Sequence, residues 1–266
     1  MRLVTITDIP GFDVWREAAR KHLLDQIPPS SIVWNKDAGG QGDFFAMPEG
    51  RVMKQRQPHV FFVSKDFMEM ARAVCCHVDP EKYALLYRLL WRLKFENPYL
   101  LKILTDEDVM KAQGMVKAVR RDAYKITAFL RFREIRHQEQ EYFVAWYEPE
   151  HYTLERVLPF FQTRFRNMRW SILTPYRAAH WDRQDMVLED NPNPDLYPKE
   201  DEIEQYWLGY YSNIFNPARP KKSAMLNQMP KKYWKNMPET VLVPEMLRKA
   251  ETRAREMIAR SQPPQK

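Results

Sequence analysis

Apolar positions recur at every second residue at the start of the chain and then at every third or fourth. Residues 1–7 alternate as a strand does. After Asp8-Ile9-Pro10-Gly11, the positions Phe12, Trp15, Ala19 and Leu23 share one face of a helix that runs to about Gln26. Pro28-Pro29 stops it, Ser31 to Trp34 reads as a short strand, and residues 35–58, rich in Gly, Gln and Pro, read as a loop. Val60 to Val63 leads into a helix of roughly residues 65–76. Asp79-Pro80-Glu81 opens the next helix: a capping side chain, Pro in the first turn and an acid near the positive end of the dipole. That helix extends to about Glu96 with Tyr83, Leu86, Leu90 and Leu93 inward, and Asn97-Pro98 breaks it.

A second long helix is predicted from about Asp106 to Phe132. Val109, Ala112, Val116, Val119, Ala123, Ile126 and Leu130 form its apolar stripe. Gln113, Lys117, Arg120, Tyr124, Thr127 and Arg131 form another, polar and basic. The period then changes. Arg133 to Arg136 and Tyr142 to Tyr147 look like a hairpin, and Thr153 caps a helix to about Phe165 with Leu154, Leu158, Phe161 and Phe165 aligned. Met168 to Leu173, Ala178 to Trp181 and Met186 to Leu188 follow as an antiparallel meander. The fold class expected is α+β, a mostly antiparallel sheet over about residues 132–188 packed against several long helices. An acidic, Pro-rich connection at 189–200 precedes a helix at about 201–215 with Ile203, Tyr206, Trp207 and Tyr210 inward. Two short helices around 222–236 and 239–248 come next. Residues 1–250 read as a single domain and 251–266 as a helical tail with a Pro-containing linker.

Composition narrows the function classes. With 29% charged and 44% hydrophobic residues, the chain is that of a globular protein. Its longest apolar run, Tyr142 to Tyr147, is far short of the about 20 residues that a membrane helix needs. The first residues lack the apolar core of a secretory signal, so a cytoplasmic protein without membrane contact is expected. Four of the seven glycines fall between Gly39 and Gly50 and beyond that loop only Gly114 and Gly209 remain, a supply that cannot write a Walker loop or a Rossmann fingerprint. The two cysteines, Cys75 and Cys76, are adjacent, a poor geometry for a disulfide and too few for an iron–sulfur cluster or a Cys-rich zinc site. They read as buried thiols on an apolar helix, and no metal or cofactor is expected.

Charge is segregated. The net charge is +7. Residues 111–136 hold eight Lys/Arg against Asp122 and Glu134, and residues 216–235 hold six and no acid. Between them, 182–204 holds nine acids against Arg183 and Lys199. Separate surfaces with separate partners follow more naturally from this than one uniform shell. Lys117, Arg120, Arg121, Lys125, Arg131, Arg164 and Arg166 are candidate phosphate contacts, with Tyr124 or Trp170 as a stacking platform for a base. The alternative is a solvated face whose cations pair with the acidic segment.

Two weaker constellations could carry chemistry. Glu150 and His151, between a strand and a helix, could form a general acid/base pair, or the local acids could simply neutralise the helix start. His180 and Asp182 share one face of a strand and could act as a relay or as two metal ligands, or be a structural pair. Lys231-Lys232-Tyr233-Trp234-Lys235 interleaves cations and aromatics. With Arg219 it could form a partner surface, or Trp234 could anchor the segment to the core.

Several strings, in order, resemble a bacterial family of unknown function associated with DNA metabolism or DNA repair. They include Asp79-Pro80-Glu81-Lys82-Tyr83-Ala84-Leu85-Leu86-Tyr87-Arg88-Leu89-Leu90-Trp91, Met168-Arg169-Trp170-Ser171-Ile172-Leu173-Thr174-Pro175 and Ile214-Phe215-Asn216-Pro217-Ala218-Arg219. Met229-Pro230-Lys231-Lys232-Tyr233-Trp234-Lys235-Asn236 completes the pattern, and the resemblance covers about residues 8–250. In that family the domain is often fused in front of a uracil-DNA-glycosylase-like domain, or stands alone beside a radical-SAM protein. The resemblance implies a DNA repair accessory module with one of those partners, and it carries over no catalytic residue. The cysteines of a glycosylase-like domain are missing, so uracil excision does not belong to this chain. It would be a standalone member or the N-terminal domain of a longer one. Three readings result: a nucleic-acid-binding accessory module, a nucleic-acid- or nucleotide-processing enzyme using Glu150 and His151 with His180 in support, and a purely protein-interaction domain. In the first, Arg219, Lys231, Lys232 and Trp234 dock the partner.

Overall fold

A computed structural model describes residues 2–6, 9–36, 62–137, 140–193, 229–245 and 248. The chain divides into two compact units. The first comprises residues 1–122 with the short segment Glu150–Thr153, and the second comprises 123–149 and 154–266. The predicted helix at 201–215, Arg219 and the tail beyond 250 lie outside the described residues.

In the first unit, strands β1 (Arg2–Ile6) and β2 (Ile32–Lys36) pair in parallel, joined through helix α1 (Phe12–Leu24) and a short 3-10 turn at Pro29–Ser31. Helices α2 (Lys65–Cys75) and α3 (Lys82–Phe95) complete a core in which Trp15, Phe67, Leu85, Leu86, Tyr87 and Leu89 are almost fully buried. The predicted stripe of α1 is the one buried. The buried Trp15 indole keeps its hydrogen bond by donating to the Tyr83 carbonyl at 3.2 Å. Cys75 and Cys76 are buried thiols, Cys76 donating to the Arg72 carbonyl at 3.3 Å, and burial pushes the Cys75 thiol far above its usual range. Lys82 is 2% exposed, its ammonium donating to the carbonyls of Cys75 (2.5 Å) and His77 (2.7 Å) at the end of α2. A cation there satisfies carbonyls that the helix leaves open and complements its dipole.

Helix α4 (Glu107–Phe129) starts in the first unit and ends in the second. Asp106 caps it, accepting from the amides of Asp108 (3.1 Å) and Val109 (3.2 Å). Arg92 donates to the same carboxylate at 2.6 Å and holds its pKa below the usual carboxylate range. Val109, Ala112, Met115, Val119, Asp122 and Ile126 face inward, so the buried stripe includes Met115 and a carboxylate, with Val116 and Ala123 half-buried. Gly114 sits mid-helix, and a Cβ built there meets nothing within 4 Å. Glycine in a helix interior costs about 0.5–1 kcal/mol relative to alanine. Gly114→Ala is therefore expected to raise stability by about that amount, read as a higher denaturant midpoint.

The second unit is built on a five-stranded sheet: β3 (Arg133–His137), β4 (Gln140–Trp146), β5 (Trp170–Leu173), β6 (Arg177–Trp181) and β7 (Met186–Asp190), neighbours in that order. All five predicted strand positions are reproduced within a few residues, and the fold is α+β as expected. The β4–β5 pair is parallel and the other three are antiparallel. The reason is the intervening helix α5 (Leu154–Arg164), which returns the chain to the same end before β5 begins. Alternation sends Trp170, Ile172, Ala145 and Ala179 to the α5 side, packed with Leu154, Val157, Leu158 and Phe161. The other face carries a small cluster of Val144, Leu173 and Ala178 and, beside it, polar side chains. No helix among the described residues is long and apolar enough to cross a membrane.

Candidate functional site

The basic stripe of α4 follows from its buried one. With Val119 and Asp122 turned inward, Lys117, Arg120, Arg121 and Tyr124 are left on exposed positions at helical spacing, and Tyr124 is 68% exposed. The side chains of Lys117, Arg120 and Arg121 make no ion pair among the described residues. Other cations do: Arg88 with Asp108 (2.8 Å), Arg92 with Asp106, Lys111 with Glu81 (2.5 Å) and Lys235 with Glu148 (2.6 Å). Arg177, buried on β6, pairs with Glu155 and Asp190. Lys125 departs from the expected surface. It lies on the buried side beside Ile126, 7% exposed, with its ammonium 5.4 Å from the centre of the Tyr233 ring. Arg131 is half-buried and donates to the carbonyls of Ala128 (3.0 Å) and Leu130 (3.1 Å), closing the end of α4.

In the second unit, Arg164 and Arg166 are exposed at and just beyond the end of α5 and have no carboxylate partner among the described residues. Trp170 cannot serve as a stacking platform. It is 1% exposed because strand alternation points its ring into the core, against Phe132 and Phe161. The aromatic next to a cation on the outer face is Tyr142, with the Arg169 guanidinium 5.7 Å from its ring centre. These two border a cleft of about 900 Å³ with Ser171, His180, Asp182 and Arg183. His180 takes Ser171 on one ring nitrogen (2.8 Å) and Glu189 on the other (3.1 Å). The same-strand partner expected for it, Asp182, is used otherwise. It accepts from the amides of Gln184 (2.7 Å) and Asp185 (2.8 Å), which lowers its proton affinity and closes the β6–β7 turn.

Glu150 and His151 belong to the first unit and His180 to the second. Glu150 is exposed, and its amide donates to Asp122 at 3.1 Å. The Asp122 carboxylate, 2% exposed, also accepts from the His151 amide (3.0 Å) and the Thr153 hydroxyl (2.9 Å). It anchors the whole Glu150–Thr153 turn, a role that its place in a basic helix did not suggest. The His151 ring lies 4.2 Å from that of His77, whose Nδ1 accepts from the Asp79 amide. Burial first, and then His151, push the proton affinity of His77 below its ordinary value of 6.5, and burial does the same for His22.

A histidine held neutral in the fold binds a proton more readily when unfolded. Stability therefore falls as pH drops through the unfolded value near 6.5 towards the lower folded values. Acidification from pH 7.5 to 5.5 is expected to lower the melting temperature, and His77→Gln should flatten part of that slope. An unchanged slope in the variant would refute the assignment.

The segment Lys231–Asn236 is a 3-10 helix that packs within the second unit. Tyr233 is buried against Tyr147 and Phe129. Trp234 is half-buried, its indole donating to the Met229 carbonyl at 3.2 Å, while Lys231 and Lys232 are exposed. Glu148 accepts from Lys235 and from the Trp146 indole, and together they hold its pKa below the usual carboxylate range. Among the described residues no group of three or more His, Cys, Asp or Glu is placed to hold a metal ion.

Neither a curated protein nor a solved structure matches the chain. One family model does, over residues 80–239, from just before α3 through the 3-10 helix Lys231–Asn236. It spans α4, the five-stranded sheet and both groups of unpaired cations, so this chain belongs to the family described as a domain of unknown function, DUF4130.

Proposed function

We propose that this protein is a nucleic-acid-binding accessory module of DNA metabolism or repair. The observation that carries the reading is the contrast among its cations. Arg88, Arg92, Lys111, Arg177 and Lys235 have carboxylate partners, whereas Lys117, Arg120, Arg121, Arg164 and Arg166 have none among the described residues. Unpaired exposed cations gather counterions that a polyanion releases on binding, and that release drives phosphate-backbone association. Tyr124, exposed next to Arg121 on α4, offers a ring for an unstacked base. Phosphate contacts position a duplex or strand without reading its sequence, which suits an accessory role.

Lys231 and Lys232 are the exposed cations of the 231–236 segment, and a glycosylase-like domain or a radical-SAM protein is the partner class proposed for them. Trp234 contributes to that surface only by the edge it leaves exposed.

Fluorescence anisotropy with labelled single-stranded, duplex and uracil-containing oligonucleotides tests the reading. Micromolar or tighter binding is expected at about 0.1 M salt, with little dependence on base sequence. Absence of binding to all three rejects it.

A further inference from the structure

The outer face of the sheet carries a row of three side chains on three neighbouring strands that the binding function leaves unused. Ser171 on β5 and His180 on β6 are register partners, and Glu189 on β7 lies diagonally across from His180. Ser171 Oγ is 2.8 Å from His180 Nδ1, and His180 Nε2 is 3.1 Å from a Glu189 carboxylate oxygen. A carboxylate only accepts hydrogen bonds, so the ring proton sits on Nε2. Nδ1 is then an acceptor, and the Ser171 hydroxyl must be the donor. Nucleophile, base and orienting acid at such distances are the arrangement that activates a serine. Ser171 and His180 line the cleft of about 900 Å³, as does the half-buried Arg169.

We infer that Ser171 is a nucleophile towards phosphate esters, with His180 as its general base, Glu189 as a positioning residue and Arg169 facing the phosphoryl oxygens. This goes beyond the binding function proposed above and does not depend on it. Phosphate is the class favoured because a guanidinium matches two phosphoryl oxygens in its planar fork. Ser171 Oγ attacks phosphorus and its proton passes to His180 Nδ1. The bond from phosphorus to the leaving alcohol breaks, and that oxygen takes the proton from His180. Water then displaces the serine from phosphorus by the same route, giving the phosphate product and free Ser171.

A fluorophosphonate probe reads the first half directly, since Oγ–P forms, P–F breaks and fluoride leaves. The full-length protein is expected to gain one adduct, located on Ser171 by peptide mass spectrometry and absent from Ser171→Ala. His180→Asn should slow labelling at least 100-fold at an unchanged melting temperature. The charged groups around His180 are Glu189, Asp182, Asp185, Arg169 and Arg183. Glu189→Gln should slow labelling about 10-fold at an unchanged melting temperature, with Glu189→Asp restoring part of the rate, which a purely structural role would not cause. Slow release of 4-nitrophenol from bis(4-nitrophenyl) phosphate, lost in Ser171→Ala, is expected. Turnover of 4-nitrophenyl acetate alone would overturn the substrate class. No adduct on Ser171, or labelling as fast in His180→Asn, would reduce the row to a cross-strand polar ladder and overturn the proposal. Because these readouts use no nucleic acid, they fail or succeed independently of the anisotropy measurement.

Discussion

Asp122→Ala is expected to lower the melting temperature by roughly 10–15 °C, the largest stability effect of any single substitution on α4. The carboxylate is nearly inaccessible and accepts from the Glu150 and His151 amides and the Thr153 hydroxyl. Hydrogen bonds to a charged group are worth about 1.5–3 kcal/mol each, and a buried donor left without an acceptor costs about 1–3 kcal/mol. Truncation also removes the cost of burying the carboxylate, so the contributions do not sum in full. A net loss of about 3–5 kcal/mol remains, and for a chain of this size 1 kcal/mol shifts the midpoint by roughly 2–4 °C. Asp122→Asn keeps one acceptor oxygen and should lose about half as much. A shift below about 2 °C for Asp122→Ala would show that the Glu150–Thr153 turn is not held in this way.

The largest functional effect is expected from reversing three charges on the exposed stripe of α4. Lys117→Glu, Arg120→Glu and Arg121→Glu together should weaken binding to a duplex oligonucleotide at least about 100-fold at 0.1 M salt, because three attractions become repulsions. The dependence of log affinity on log salt should become shallower by about 1 for each cation removed. All three side chains are exposed and unpaired among the described residues, so the thermal midpoint should hardly move. Reversing Lys111, which is paired with Glu81, should instead have little effect on affinity. Equal losses in both proteins would point to net charge alone rather than to this stripe.

Much of the fold was legible because its elements are strongly periodic. Phe12, Trp15, Ala19 and Leu23 gave the α1 face directly, and the start of α4 was read at Asp106, within a residue of where it lies. The strands at 133–190 were legible as elements, but the parallel β4–β5 pairing was not, since it depends on where α5 delivers the chain rather than on any residue in the strands. The site was legible in part. Lys117, Arg120, Arg121 and Tyr124 are exposed as their spacing implied, whereas Lys125, one residue from Tyr124, rotates to the buried side. Trp170 shows the same limit in a strand, where a shift of one residue decides between core and cleft. Glu189 as the partner of His180, in place of Asp182, depended on the β6–β7 register. The signal was present in the spacing Asp182-Arg183-Gln184-Asp185, which uses Asp182 to close the turn and leaves the diagonal position to the next strand. The role of Asp122 could not be read locally, because its partners lie 28–31 residues away along the chain.

The central claim is that unpaired cations on this protein bind a nucleic acid backbone. The most direct test is the affinity of the wild-type protein for one labelled duplex, measured by anisotropy across salt concentrations from 50 to about 300 mM. Engagement of three to five phosphates predicts a straight line of log affinity against log salt with a slope of about −3 to −4.5. A slope near zero, or no binding at the lowest salt, would contradict it.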